Sequence, residues 1–287
     1  MIPAAVGAAL RAARSRLVQA LALEPSVAGL EAQILLSHVL SHPRAYLLAH
    51  PEAALSDVNQ TQFETLLTRR ERGEPIAYII GQREFYGLAF LVTPDVLIPR
   101  PETELLVDLA LEQIPQDAPT RILDLGTGSG AIAITLAKLR PHAQVTAVEA
   151  SPQALAIARE NASRLGAANI TFVESNWFGG LRESSRFELI VANPPYVAEN
   201  DPHLNHGDVR FEPINALTSG QDGLDAIRHI AQTSPRFLQA SGRLLFEHGY
   251  DHGGVSKTML QSLGYADIVA YLDLAGRPRV TGGKKPQ

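Results

Sequence analysis

Apolar residues recur at helical spacing through roughly the first eighty positions. Leu10, Leu17, Val18 and Leu21 share one face of a helix read over 3–23. Ser26, a good N-cap, opens a second helix running to 41. Pro43 begins a short helix at its first position, where a missing N–H costs nothing. Ser56 caps another, which carries Phe63, Leu66 and Leu67 and ends near Gly73. Its end, Arg69-Arg70-Glu71-Arg72, sets cations at the negative pole of the helix.

The period then changes. Residues 85–92, Phe-Tyr-Gly-Leu-Ala-Phe-Leu-Val, are aromatic, β-branched and broken by a turn, which predicts a β-hairpin. Ile98-Pro99-Arg100-Pro101 is an extended junction, since a residue before proline avoids the helical region. Beyond Glu102 strands alternate with helices. Strands are read at 121–125, 144–148, 170–174, 187–192, 243–247, 268–272 and 278–281, and helices at 131–139, 152–165, 224–238 and 255–263. Such alternation implies an α/β domain with a mostly parallel sheet covered on both faces. The tail 282–287 is expected to be disordered.

Composition narrows the function classes. The chain has 287 residues, 45% hydrophobic and 19% charged, so it has the apolar material to fold. Its net charge of −5 opposes a protein living on a phosphate backbone. With no cysteine, a disulfide scaffold, a thiolate zinc site and a cysteine nucleophile are excluded. No stretch of eighteen apolar residues is free of charge, so no membrane span is expected. Arg11, Arg14 and Arg16 precede the first acid, Glu24, as in a transit peptide, but the unbroken helical pattern favours an Ala-rich first helix.

Arg121 to Ala131 reads as strand, glycine turn and helix, with Asp124 ahead of Gly126-Thr127-Gly128-Ser129-Gly130. Glycines admit positive φ and close approach of a ligand, and the helix start offers free N–H groups. Gly126, Gly128 and Ala131 also satisfy the dinucleotide pattern, with Glu149 ending the next strand as a ribose ligand, so a nicotinamide dehydrogenase stays open. Asp124, placed to hold an ammonium, and the additional Gly130 favour S-adenosylmethionine, which has an amino-acid end and no pyrophosphate.

The apolar strand 187–192 runs into Asn193-Pro194-Pro195-Tyr196. Taken alone the turn is a rigid loop exit. After a later strand of a glycine-loop sheet it faces the same crevice. The Asn193 side-chain oxygen and the Pro194 carbonyl can each accept one N–H from a planar NH₂ group. That orients its lone pair and favours the charge developing on nitrogen. The prolines stiffen the turn, and Tyr196 offers a flat face.

Five motifs in order carry a resemblance: Gly73-Glu74-Pro75-Ile76-Ala77-Tyr78; Leu97-Ile98-Pro99-Arg100-Pro101-Glu102-Thr103-Glu104; the loop from Asp124 to Gly130; Asn193 to Tyr196; and Asp201-Pro202-His203 with Gly207-Asp208-Val209-Arg210-Phe211-Glu212-Pro213. Over nearly its full length the chain resembles the bacterial peptide chain release factor N5-glutamine methyltransferases, the PrmC/HemK family. The resemblance implies a Rossmann-like S-adenosylmethionine-dependent methyltransferase sheet at 102–287. It also implies a helical release-factor-binding domain at 1–82 and a β-hairpin linker at 83–101. It implies methylation of the glutamine in the Gly-Gly-Gln motif of class 1 release factors, with no direct nucleic-acid partner, in a cytoplasmic monomer. It assigns Gly126, Thr127, Gly128, Ser129, Gly130, Glu149, Trp177 and Asn193 to the cofactor, and Asn193, Pro194, Pro195 and Tyr196 to the substrate. Asn193 and Pro194 would be catalytic. Asn176 stands where the family carries an acid, although its oxygen can still accept a hydrogen bond.

Other signals are weaker. His38 and His42 lie one turn apart without the glutamate of a zinc protease and read as helix-face residues. Asp201, His203, His206 and Asp208 read as a loop that closes over substrate rather than a metal cluster. Arg100, Glu102 and Glu104 either touch the partner protein or form ordinary salt bridges. Competing functions are a ribosomal-protein glutamine N5-methyltransferase, an adenine-N6 nucleic-acid methyltransferase, which shares the Asn-Pro-Pro-Tyr turn, and a non-catalytic cofactor-fold module.

Overall fold

The computed structural model describes residues 5–286. Two compact units are present: one runs to Gly81 and takes in Asn205–Phe211, and the other comprises Gln82–Leu204 and the chain from Glu212 onward.

The first unit is helical, with α1 Val6–Leu21, α2 Pro25–Leu40, α3 Arg44–Ala49, α4 Asp57–Glu71 and α5 Ile76–Ile80. Leu17, Leu35, Leu36, Leu47, Phe63 and Leu67 form its core, and Leu10, Val18 and Leu21 pack against them. Ser56 caps α4 by accepting the Asn59 N–H at 3.2 Å, a bond worth about 1 kcal/mol. Ser26 does not cap α2. Pro25 takes the first helical position, with its φ already set, and Glu24 precedes it without a side-chain bond. Arg70 is not a solvated cation at the end of α4 either: it is 3% exposed. Its guanidinium grips Glu31 at 2.8 and 3.0 Å and Asp208 at 2.8 Å. Arg210 also donates to the Arg72 carbonyl at 3.0 Å, which fastens Asn205–Phe211 within this unit.

The second unit opens with a hairpin, β1 Gln82–Phe85 and β2 Leu88–Leu91, joined by Tyr86 and Gly87 at φ 53° and 73°. Positive φ at both turn residues matches the twist of the paired strands. The hairpin starts three residues before the apolar run, because Gln82, Arg83 and Glu84 are polar and pair by backbone alone. Phe85 and Phe90 enter the core of this unit. Asn161 accepts the Leu91 N–H at 2.7 Å and donates to the carbonyls of Leu91 and Ser129 at 3.0 and 2.9 Å.

The sheet has seven strands, β3 Arg121–Leu125, β4 Gln144–Glu149, β5 Ile170–Glu174, β6 Phe187–Ala192, β7 Leu238–Glu247, β8 Ala266–Leu272 and β9 Pro278–Lys284. Their order is β5-β4-β3-β6-β7-β9-β8; only the pairings of β9 are antiparallel. The helices are α6 Glu104–Gln113, α7 Ala131–Leu139, α8 Pro152–Leu165, α9 Asp225–Phe237 and α10 Gly253–Ser262. Alternation sorts the strand residues into two cores. Ile122, Leu189, Val191 and Leu245 face α6 and α7, while Leu123, Leu125, Ile190 and Phe246 face α9 and α10.

The expected disorder from 282 is overturned as far as Lys284, because β9 continues through Gly282 and Gly283. Gly282 is required there. A Cβ at Gly282 would meet Leu245 Cδ2 at 2.3 Å, so a bare backbone slots between β7 and β8. Residue 287 lies outside the described residues.

Candidate active site

Chain direction places the site. From β3 the chain steps outward to β4 and β5, then returns to lay β6 on the other side of β3. The crevice at the carboxyl ends of β3 and β6 is therefore the switch point, where open α/β sheets hold ligands. Leu125 is in register with Val148 and Ala192, and Ala192 with Phe246. The next residues, Glu149, Gly126, Asn193 and Glu247, make one row across that edge, with neighbours about 5 Å apart.

Gly126, Gly128 and Gly130 take φ of 72°, 54° and 84°. Gly130 is the N-cap of α7, and a Cβ there would lie 2.6 Å from Ile134 Cδ1. A Cβ at Gly128 would meet nothing within 4 Å, so the loop borders open space. Glu149 shapes the loop: one carboxylate oxygen accepts the Gly128 N–H at 2.9 Å and the other the N–H groups of Ala150 and Ser151 at 2.9 and 3.0 Å. The Thr127 hydroxyl turns inward to Asp124 at 2.6 Å, and the Ser129 carbonyl is taken by Asn161.

Asp124 is fully buried. Burial pushes its carboxyl up to about 7, against the opposing hydrogen bonds of Thr127 and the Ala133 backbone. Its Oδ1 has no partner. A buried acceptor without a donor is costly, so this oxygen is suited to a cation. An orphaned acid behind a glycine cradle that borders open space fits a ligand carrying an ammonium, as S-adenosylmethionine does.

Trp177 is half-buried and sits at φ 52°, a strained value for a bulky side chain. Its Cζ3 lies 3.5 Å from where a Gly126 Cβ would be, so the indole borders the glycine turn. Asn176, beside it, is exposed.

Asn193 is half-buried, and its Nδ2 donates to the Thr103 hydroxyl at 3.0 Å. With the NH₂ end held, the side-chain oxygen is the end left to accept. Pro194 is buried and Pro195 half-buried behind it. The Tyr196 hydroxyl donates to Glu247 Oε1 at 3.2 Å. Gly223, at φ 75°, comes so close that a Cβ would lie 2.4 Å from the Tyr196 carbonyl oxygen.

Thr103 and Glu247 were missed by the sequence reading. Thr103 lay within a quoted motif but was given no role. Glu247 had a signal: it ends an apolar strand as Glu149 does. The structure gives Arg100 and Glu104 internal partners. Arg100 pairs with the buried Glu212, and Glu104 accepts the Tyr86 N–H at 2.8 Å. His203 Nδ1 lies 2.7 Å from Asp201. His42 stacks on Tyr46 at 4.2 Å. Among the described residues no helix is long and apolar enough to cross a membrane, and no acid or histidine group could hold a metal ion.

The profile of the PrmC N-terminal domain matches residues 8–81, and that of the methyltransferase small domain residues 103–210. The chain is 49% identical over 279 residues to a release factor glutamine methyltransferase of Vibrio cholerae, covering 97% of this chain and 96% of that one. It is 47% identical over 262 residues to another from Burkholderia pseudomallei, covering 90% and 92%. Among solved structures, the T. thermophilus 16S rRNA N2 G1207 methyltransferase in complex with AdoMet and guanosine shares the fold, with a TM-score of 0.54 at 20% identity over 71% of this chain and 49% of that one.

Proposed function

The chain belongs to the family of release factor glutamine methyltransferases, and from that premise we propose that the crevice between β3 and β6 transfers a methyl group from S-adenosylmethionine to the side-chain amide nitrogen of a release-factor glutamine. The observation that carries this reading is the orientation of Asn193: its Nδ2 is committed to Thr103, and its oxygen is left to accept, one strand from the glycine loop.

S-adenosylmethionine supplies a methyl group made electrophilic by the adjacent sulfonium. Gly126, Thr127, Gly128, Ser129 and Gly130 would cradle it, mainly through backbone, since the Thr127 hydroxyl is spent on Asp124. Asp124 Oδ1 would meet the ammonium, Glu149 the ribose hydroxyls, and Trp177 the adenine side. Glu149 Oε2 accepts one N–H in the structure, which leaves capacity for another donor.

On the substrate side, the Asn193 oxygen and the Pro194 carbonyl would each take one proton of the glutamine NH₂. Held so, the nitrogen lone pair points at the methyl group, and positive charge appearing on nitrogen meets two oxygens. Pro195 and Tyr196 would border the glutamine. The proton leaves after transfer, so no strong base is needed. The reading extends to the N5 atom of the Gly-Gly-Gln glutamine in class 1 release factors, to recognition of that protein by the helical unit, and to a monomer acting in the cytoplasm.

The test is mass spectrometry of an unmethylated release factor incubated with the enzyme and S-adenosylmethionine. One added methyl on the Gly-Gly-Gln peptide is expected. Asn193→Ala should lower the rate at least about a hundredfold, the cost of one lost transition-state partner. Methylation elsewhere, or an undiminished N193A rate, would refute the reading.

A further inference from the structure

An asparagine amide has two ends of nearly equal shape and opposite hydrogen-bonding character. Turned by 180°, Asn193 would present NH₂ to the substrate NH₂, two donors facing each other. The proposed transfer therefore needs something that fixes the end on offer, and Asn193 cannot do this alone. Its partner is the Thr103 hydroxyl, 4% exposed, in the turn before α6. A hydroxyl can donate or accept, so it imposes no direction unless its own proton is committed.

A buried acceptor without a partner, Glu247 Oε2, lies beside it. Glu247 is 1% exposed, occupies the same edge row as Asn193 and neighbours Thr103. An ionised carboxylate can only accept. Tyr196, at the far end of the same turn, donates its hydroxyl to Glu247 Oε1 at 3.2 Å. One end of the Asn-Pro-Pro-Tyr turn thus reaches this acid directly through Tyr196, and the other end is held by Thr103, beside which the acid keeps a buried oxygen, Oε2, with no hydrogen-bond partner.

We propose that Thr103 and Glu247 are positioning residues that set the polarity of the acceptor turn: Glu247 takes the Thr103 proton, Thr103 takes an Asn193 Nδ2 proton, and Asn193 is left with its oxygen toward the reacting nitrogen. This rests on the glutamine-methyltransferase reading. Burial pushes the Glu247 carboxyl up to about 7, while Thr103, Tyr196 and Arg279 of β9 hold it down and Glu102 adds to the rise. His248, the residue after β7, is kept neutral by burial, with one ring nitrogen at the Gly249 carbonyl and the other at the Thr281 hydroxyl.

The experiment compares Thr103→Val, Thr103→Ser and Glu247→Gln with the parent enzyme on a purified release factor, alongside donor affinity and Tm. Valine keeps the shape of threonine without the hydroxyl; serine keeps the hydroxyl. T103V and E247Q are expected to lose at least about tenfold in kcat, with KM for the release factor and donor affinity within about threefold. T103S is expected to stay within about threefold of the parent. The parent kcat should fall as pH drops through about 7, and that limb should be absent in E247Q. If E247Q does not fold, the valine and serine pair decides. T103V at parental kcat, or T103S as impaired as T103V, overturns the proposal. A parent enzyme that leaves the glutamine unmethylated overturns the underlying reading instead, and is seen without any variant.

Discussion

At the scale of single residues, the acid ahead of the glycine loop makes the sharpest claim. The motif alone offers Asp124, just ahead of the loop, to a ligand ammonium. Its full burial is not legible there, because it comes from the position of β3 between β4 and β6 under helices on both faces. With the carboxyl pushed up to about 7, Asp124 is substantially protonated at neutral pH. A cationic ligand favours the ionised form, so donor binding should release a proton below that pH. Affinity for S-adenosylmethionine is expected to tighten as pH rises from about 6 to 8, approaching tenfold per unit at the lower end. Asp124→Asn should flatten that dependence. Calorimetric titration in buffers of different ionisation enthalpy checks both.

At the scale of elements, the strands and helices that build the crevice were readable almost to the residue. β3, α7, α8, β5 and β6 coincide with their expected bounds, because apolar runs and turn residues mark both ends of each. The helix α6 went unread, and the other misreadings in this unit fall where backbone alone holds the element. β7 starts at Leu238 rather than 243, through a stretch whose pairing with β6 shifts register beside Gly242. β9 runs through two glycines that carry no pattern at all. Gly282→Val should drive a side chain into Leu245 Cδ2 and the Leu244 carbonyl and destabilise the sheet unit by about 1–3 kcal/mol, read as a lowered midpoint in urea.

At the scale of the whole molecule, two buried acids make stability depend on pH against the usual trend. Asp124 and Glu247 titrate near 7 when folded and near 4 when unfolded. Between those values the folded chain binds more protons. Their contribution is full below about 4 and is lost as pH rises through 7, by up to about 1.4 kcal/mol per unit for each group. His248, shifted down by burial, acts oppositely but only below its ordinary range. Tm is therefore expected to fall from about pH 6.5 to 8, and scanning calorimetry would show it. A flat or rising Tm would contradict the burial of these carboxyls. The sequence marks both acids by their place on or at the end of an apolar strand, but not the depth of their burial, which is a property of the assembled layers.

Asn161 has a consequence for anyone cutting this protein into parts. One amide on α8 ties the backbone of β2 to the Ser129 carbonyl in the glycine turn. A truncation begun at the apparent start of the sheet domain, near residue 102, would discard the strut that braces the cradle. Engineered fragments or chimaeras meant to retain donor affinity should start at Gln82, with the hairpin treated as scaffold rather than tether.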